Sequence, residues 1–137
     1  MGKRENDKFL ESYNLLERTL CERFLSEACG VSEYINRLGA LPDGAPRDEV
    51  LSALVRYRGI RNRLSHEPTA LRRSDEVTLR DVHWLRRFRR TVSALADPLS
   101  RYLRGERRKR WARTLVRILI YTLTVALAAA VVIIINI

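Results

Sequence analysis

The C-terminal stretch from Ile118 to Ile137 contains no charged side chain, and only four of its residues are polar: Tyr121, Thr122, Thr124 and Asn136. Because an α-helix rises about 1.5 Å per residue, this stretch spans about 30 Å, the thickness of a bilayer's hydrocarbon core. The alternative is a buried core helix, but a domain of this size cannot surround a helix that is apolar on every face. The sequence therefore predicts a single transmembrane helix within residues 114–137.

The net charge of +10 lies immediately before this span. Residues 1–85 carry 14 Lys and Arg against 14 Asp and Glu, whereas residues 86–117 carry 12 basic residues against two acidic ones. No charged residue follows the span, so the positive-inside rule places the N-terminal domain in the cytoplasm. Within a juxtamembrane linker, residues 105–113, the side chains expected to meet anionic lipid headgroups of the bilayer are Arg107, Arg108, Lys109, Arg110, Trp111 and Arg113.

Residues 1–104 show apolar side chains at helical spacing and no strand-like alternation. The predicted fold class is all-α, a small antiparallel helical bundle followed by the single C-terminal transmembrane helix. The first two expected helices run from about Asp7 to Cys29, ended by Gly30, and from Val31 to Leu38, capped by Ser32. The third runs from Pro46 to His66. The fourth is long, from about Asp75 to Leu103, and Pro98 interrupts it near Asp97.

The two cysteines, Cys21 and Cys29, fall within the first predicted helix. Eight positions apart on a helix, they are too distant to form a disulfide. We therefore expect two reduced thiols, as in a cytosolic protein.

Arg61, Asn62 and His66 occupy six positions at the predicted end of the third helix, where Pro68 disfavours helical geometry at Glu67. A guanidinium binds phosphate bidentately, and an imidazole exchanges a proton near neutral pH. In so arginine-rich a chain the Arg–His spacing is common, and the asparagine directly after the arginine is the more informative feature.

On an ideal helix, the residues of this motif do not all lie on one face. Asn62 and His66 share a face, whereas Arg61 lies about 140° away from His66 around the helix axis. Convergence requires a looser last turn or an arginine that reaches around the helix. The alternative interpretation is structural: Arg61 and Arg63 are solvated, and His66 interacts with the negative end of the helix dipole.

The run Arg61-Asn62-Arg63-Leu64-Ser65-His66 resembles the signature of the HEPN superfamily, an Arg, a polar residue and a His a few positions later. The likeness covers about residues 5–104 and implies a metal-independent endoribonuclease that acts as a homodimer or higher oligomer, with two copies of the motif facing each other. It implies that His66 acts as general base or acid around attack of the 2′-hydroxyl, that Arg61 stabilises the charged phosphorane, and that Asn62 orients the histidine or the phosphate.

No metal site and no cofactor is expected, since His83 has only Asp81 as a nearby ligand in the sequence. Between Trp84 and Arg90, aromatic and arginine side chains alternate in a way that suits RNA phosphates and bases. The alternative is a solvated helix face with Phe88 in the core. The predicted RNA-binding residues are Arg58, Arg63, Arg86, Arg87, Arg89 and Arg90.

Functions of different classes remain open. The first is a membrane-anchored HEPN-like endoribonuclease, such as a toxin or an antiviral defence effector. The second is an oligomeric assembly or pore-forming module with a non-catalytic HEPN-like domain, in which the small residues Thr122, Ala126 and Ala130 let anchors pack. The third is an RNA-binding adaptor without catalysis.

Overall fold

The computed structural model of the chain describes residues 2–26, 29–66 and 77–135. These residues form five helices and no strand: α1 (Gly2–Phe24), α2 (Gly30–Gly39), α3 (Ala45–His66), α4 (Leu79–Ser93) and α5 (Pro98–Ile135). The predicted all-α class is confirmed. The chain divides into two compact units, Met1–Arg101 and Tyr102–Ile137.

The first unit is a helical bundle around one apolar core. The apolar stripe predicted for the first helix is buried, with Phe9, Leu16 and Leu20 at 0% exposure. Side chains separated by three and four positions lie on one face of a helix, so this stripe faces the other helices. The remaining buried apolar side chains are Tyr13, Val31, Tyr34, Ile35, Leu38, Leu54, Tyr57, Ile60, Leu64, Val77, Val82, Leu85, Phe88, Val92 and Leu99.

Helix α3 runs antiparallel to α2. Arg58, in its C-terminal half, donates a hydrogen bond to Ser32 near the start of α2, and Arg47, in its first turn, donates to the carbonyl of Leu38 near the end of α2. On the other side, the Tyr57 hydroxyl donates to Asp81 in the first turn of α4. The predicted bounds of this helix are confirmed to within one residue. Glu67 and Pro68, expected to end it, lie outside the described residues.

The predicted end of the first helix at Gly30 is wrong. Helix α1 ends at Phe24, Leu25 adopts a left-handed conformation with φ of 52°, and the Ser26 amide donates back to the Cys21 carbonyl at 3.0 Å. Gly30 instead begins α2 against the backbone of α1, where a Cβ atom would lie 2.5 Å from the Cys21 amide nitrogen. The glycine is therefore required for close approach of two helices, a long-range contact without a local sequence signal.

The start of α2 also corrects two other expectations. Cys29, with φ of 70°, occupies the N-cap position, so Ser32 lies inside the helix rather than capping it. Consequently Cys21 and Cys29 do not share a helix, and both carry free thiols.

The predicted interruption near Asp97 is confirmed, because α4 ends at Ser93 and α5 begins at Pro98. The expected start of α4 at Asp75 lies outside the described residues, and the observed helix follows Thr78. From Ile118 to Ile135, α5 carries no charge and rises about 27 Å. Within the described part of the chain, one C-terminal helix is long and apolar enough to cross a membrane.

Candidate functional site

The last turns of α3 carry the Arg61–His66 motif. Arg61 is half-buried, whereas Asn62 and His66 are exposed. The helix remains α-helical through His66, so a looser last turn does not bring Arg61 toward the histidine. Instead, Nη1 of Arg61 donates a hydrogen bond of 3.4 Å to Oδ1 of Asn62. Since Asn62 and His66 lie one turn apart on the same face, the guanidinium leans toward the face that carries the imidazole.

Tyr13 of α1 lies close to the buried side of this motif. Burial raises the pKa of the Tyr13 hydroxyl to about 12, Glu17 acts in the same direction, and the positive charges of Arg61 and Arg58 oppose them. Both guanidinium groups are therefore near enough to Tyr13 to interact with it electrostatically.

Arg58 and Arg63 flank the motif in different ways. Arg58 is half-buried and donates a hydrogen bond of 3.3 Å to the Ser32 hydroxyl of α2. Arg63 is exposed, and its Nη1 would lie 4.0 Å from a Cβ atom on Gly59, one turn earlier. Arg58 thus has a packing role that the sequence interpretation did not assign, whereas the Arg63 side chain lies on the surface.

Two neighbouring arginines of α4 contact different parts of the bundle. Nε of Arg86 donates a hydrogen bond of 3.2 Å to the Ser12 hydroxyl of α1. Arg87, in contrast, lines a cavity beside the first turn of α3. The side chains of Arg86 and Arg87, adjacent in α4, therefore lie beside different helices, α1 and α3. Arg89 is half-buried and Arg90 is exposed.

The cavity lined by Arg87 and the Arg61–His66 motif lie far apart along α3. Glu49 lines the cavity, and from Glu49 to Arg61 the helix rises about 18 Å. Arg87 therefore lies toward the opposite end of α3 from the Arg61–His66 motif.

The predicted membrane-interface residues are all exposed on α5, outside the bundle unit. Trp111 has 70% of its surface exposed, and Lys109 forms an ion pair of 3.2 Å with Glu106. The exposed residues of this set are Arg107, Arg108, Lys109, Arg110, Trp111 and Arg113. A helix surface of this kind suits anionic headgroups.

Two buried carboxylates were not singled out as functional or structural residues from the sequence. Asp97 has 1% exposure and forms an ion pair of 2.9 Å with Arg23, and it accepts further hydrogen bonds from Tyr34 and Ser100. Burial alone would raise the pKa of Asp97, but the hydrogen bonds from Ser100 and Tyr34 and the charge of Arg23 outweigh it and lower that pKa. A local signal existed, since Asp followed by Pro is typical of an N-cap and first helical position.

Asp81 is the second buried carboxylate. It accepts hydrogen bonds from the Thr78 amide and hydroxyl and from the Tyr57 hydroxyl. Burial would raise the pKa of Asp81, but these hydrogen bonds and the charge of Arg56 lower it. The Thr78–Asp81 spacing is that of a capping box, which the sequence alone could have indicated.

Among the described residues, no three His, Cys, Asp or Glu side chains come together as a metal site. A family of unknown function (DUF6548) matches residues 7–118, more than four-fifths of the chain. The matched range includes the whole bundle core, the Arg61–His66 motif and the first residue of the uncharged span. No curated protein matches the chain, and no solved structure does.

Proposed function

We propose that this chain, which belongs to the DUF6548 family, is a membrane-anchored endoribonuclease of the HEPN type. The observation that carries the proposal is the hydrogen bond between Arg61 and Asn62, one turn before the exposed His66. It brings a phosphate-binding group and a proton-transfer group toward one accessible face at the end of a helix.

The proposed reaction is internal transesterification of RNA. His66 removes the proton of a ribose 2′-hydroxyl, the 2′-oxygen attacks the adjacent phosphorus, and the bond from phosphorus to the 5′-oxygen breaks. Arg61 binds the phosphoryl oxygens and stabilises their additional charge in the transition state. The products are a 2′,3′-cyclic phosphate and a 5′-hydroxyl end, and the leaving oxygen takes up one proton.

A second copy of the chain completes this site. One imidazole cannot both accept the 2′-hydroxyl proton and donate a proton to the leaving oxygen in the same concerted step. A dimer that brings two His66 side chains to one phosphodiester supplies the base and the acid separately. Asn62 and His66 are both exposed, as such pairing requires.

The anchor gives the enzyme its proposed location. The uncharged part of α5 spans the membrane, and the exposed basic residues before it bind anionic headgroups on the cytoplasmic side. A nuclease held there is suited to a toxin or an antiviral defence effector, in which membrane tethering restricts access to cellular RNA.

The test is cleavage of a single-stranded RNA by the full chain in detergent micelles, in the presence of EDTA. We expect Arg61→Ala and His66→Ala each to reduce the rate by at least about 100-fold, the scale of a lost general acid or base. Arg18→Ala is the matched control, because Arg18 pairs with Glu22 on an exposed surface of α1. Activity that survives both motif substitutions would refute the assigned roles.

The competing function is an assembly or pore-forming module, which Thr122, Ala126 and Ala130 favour by placing small residues at four-residue spacing on α5. Vesicles containing the His66→Ala chain distinguish the two. A pore module releases an entrapped dye whether or not His66 is present, whereas the nuclease proposal expects the loss of RNA cleavage and no dye release. An RNA-binding adaptor would bind RNA and show neither activity.

A further inference from the structure

Three tyrosines are buried among the described residues, and they differ in what their hydroxyl groups contact. The hydroxyls of Tyr34 and Tyr57 donate hydrogen bonds of 2.8 and 3.0 Å to buried carboxylates. Tyr13 has only 4% of its surface exposed, yet its hydroxyl makes no hydrogen bond with a described residue. A buried tyrosine hydroxyl usually has a partner, because an unpaired polar group costs free energy. The Tyr13 hydroxyl therefore needs an explanation other than packing.

The first turn of α2 brings Tyr13 and the Arg61–His66 motif to the same part of the bundle. This turn donates a hydrogen bond of 3.1 Å to Glu17 of α1 and accepts one of 3.3 Å from Arg58 of α3. Tyr13 lies one turn before Glu17, and Arg61 lies about one turn after Arg58. Both residues are thus neighbours of contacts to the same short segment.

The hydroxyl of Tyr13 is a hydrogen-bond donor within the electrostatic range of Arg61. Burial and Glu17 raise the pKa of Tyr13 to about 12 against the charges of Arg61 and Arg58, so the phenol stays protonated near neutral pH. Arg61 donates to Asn62, and its guanidinium has no other hydrogen-bond partner in the described part of the chain. An unpaired O–H group and an available guanidinium together suit the oxygens of one phosphate.

We propose that Tyr13 is a further catalytic residue, whose hydroxyl donates a hydrogen bond to a non-bridging oxygen of the phosphate bound by Arg61. The inference rests on the endoribonuclease function proposed above. Negative charge on this oxygen increases as the 2′-oxygen attacks phosphorus, so the hydrogen bond is stronger in the transition state than in bound RNA. Arg61 contacts the phosphate from α3, and Tyr13 contacts it from α1.

The experiment measures RNA cleavage by Tyr13→Phe in the full chain in detergent micelles. We expect kcat to fall about 10- to 100-fold, the scale of one hydrogen bond to a charged acceptor. KM should change little, because the bond gains most of its strength in the transition state.

Tyr57→Phe is the matched control, because it removes a buried tyrosine hydroxyl that donates to Asp81. It should lower the melting temperature of the full chain and leave kcat unchanged. Tyr13→Phe removes a hydroxyl without a partner among the described residues, so it should not lower the melting temperature. The two variants should therefore show opposite patterns of stability and activity.

A DNA oligonucleotide of the same sequence separates this inference from the nuclease proposal, because it lacks the 2′-hydroxyl and cannot be cleaved by this reaction. Tyr13→Phe should weaken its binding at least about threefold. If the wild type cleaves no RNA, the nuclease proposal fails, and DNA binding decides whether Tyr13 contacts phosphate. Unchanged kcat in Tyr13→Phe, unchanged DNA binding where no RNA is cleaved, or a loss of stability equal to that of Tyr57→Phe would overturn the inference.

Discussion

The Tyr34 hydroxyl donates a hydrogen bond of 2.8 Å to the carboxylate of Asp97, a residue 63 positions later in the chain. The same carboxylate forms an ion pair with Arg23 of α1 and accepts hydrogen bonds from the amide and hydroxyl of Ser100. One side chain therefore links α1 and α2 while it caps the N-terminus of α5. Asp97 therefore connects three helices at this end of the bundle.

Asp97→Asn should lower the free energy of unfolding by about 2–4 kcal/mol, because it leaves Arg23 without its counter-ion in a largely buried position. Tyr34→Phe, which removes one neutral donor to the carboxylate, should cost about 1–2 kcal/mol. Urea denaturation of the full chain in micelles, followed by Trp84 fluorescence in the Trp111→Phe background, measures both. Equal stabilities of the wild type and Asp97→Asn would contradict the importance of the ion pair.

Stability should fall in acid. The pKa values of Asp97 and Asp81 are lowered from the ordinary 3.8, since hydrogen bonds and nearby arginines outweigh the effect of burial. The unfolded chain therefore takes up these protons at a higher pH than the folded chain does. The stabilisation is complete well above 3.8 and is lost as the pH falls through 3.8 toward the lower folded pKa. Unfolding measured from pH 6 to pH 3 should show this fall, and Asp97→Asn should reduce its slope.

Gly30→Ala should destabilise the bundle by about 2–3 kcal/mol, because the added Cβ meets three backbone atoms of α1 within 3 Å and α2 must move away. Gly59→Ala is the matched control inside α3, where the nearest atom to the new Cβ is a flexible Arg63 nitrogen at 4.0 Å. There the higher helix propensity of alanine should add up to about 1 kcal/mol. Thermal melts of the two variants should therefore shift in opposite directions, and a neutral Gly30→Ala would show that the helices do not require this approach.

Leu25→Gly should raise the free energy of unfolding by about 1 kcal/mol. Leu25 has a left-handed backbone with φ of 52° while 93% of its surface is exposed, so glycine relieves steric strain and little packing is lost. Leu25→Ala keeps the Cβ atom and should bring no such gain. If both variants were equally stabilised, removal of an exposed apolar side chain rather than relief of strain would be the cause.

Arg61→Lys should reduce RNA cleavage by at least about tenfold although the charge is retained, because an ammonium cannot bind phosphate with a planar fork. Asn62→Ala should cause a smaller loss than His66→Ala, since Asn62 holds the guanidinium but transfers no proton. Initial rates at saturating RNA measure these effects. A full loss in Asn62→Ala, equal to that of His66→Ala, would indicate a more direct role for the amide.

Patterns that arise within one helix could be predicted from the sequence. Helix α3 begins and ends where proline, acidic residues and apolar spacing indicated, and the stripe from Phe9 to Leu20 is buried. The shared face of Asn62 and His66 also follows from helix geometry alone. The contact of Arg61 with Asn62 does not, because a long side chain has many rotamers and spacing selects none of them.

Features that depend on contacts between distant segments could not be predicted in this way. The end of α1 at Phe24 and the position of Gly30 against the Cys21 amide follow from the packing of α2 on α1. The partners of Asp97 come from residues 74 and 63 positions earlier, so only its capping role was visible locally. The separation of Arg86 from Arg87 likewise depends on which helix lies beside each of them.

The position of Asp97 has a mechanical consequence. Tension transmitted along the chain from α5 reaches the bundle at the first turn of that helix, where Asp97 receives bonds from Ser100, Arg23 and Tyr34. A chain pulled from the C-terminal part of α5 would therefore load the Asp97 carboxylate first.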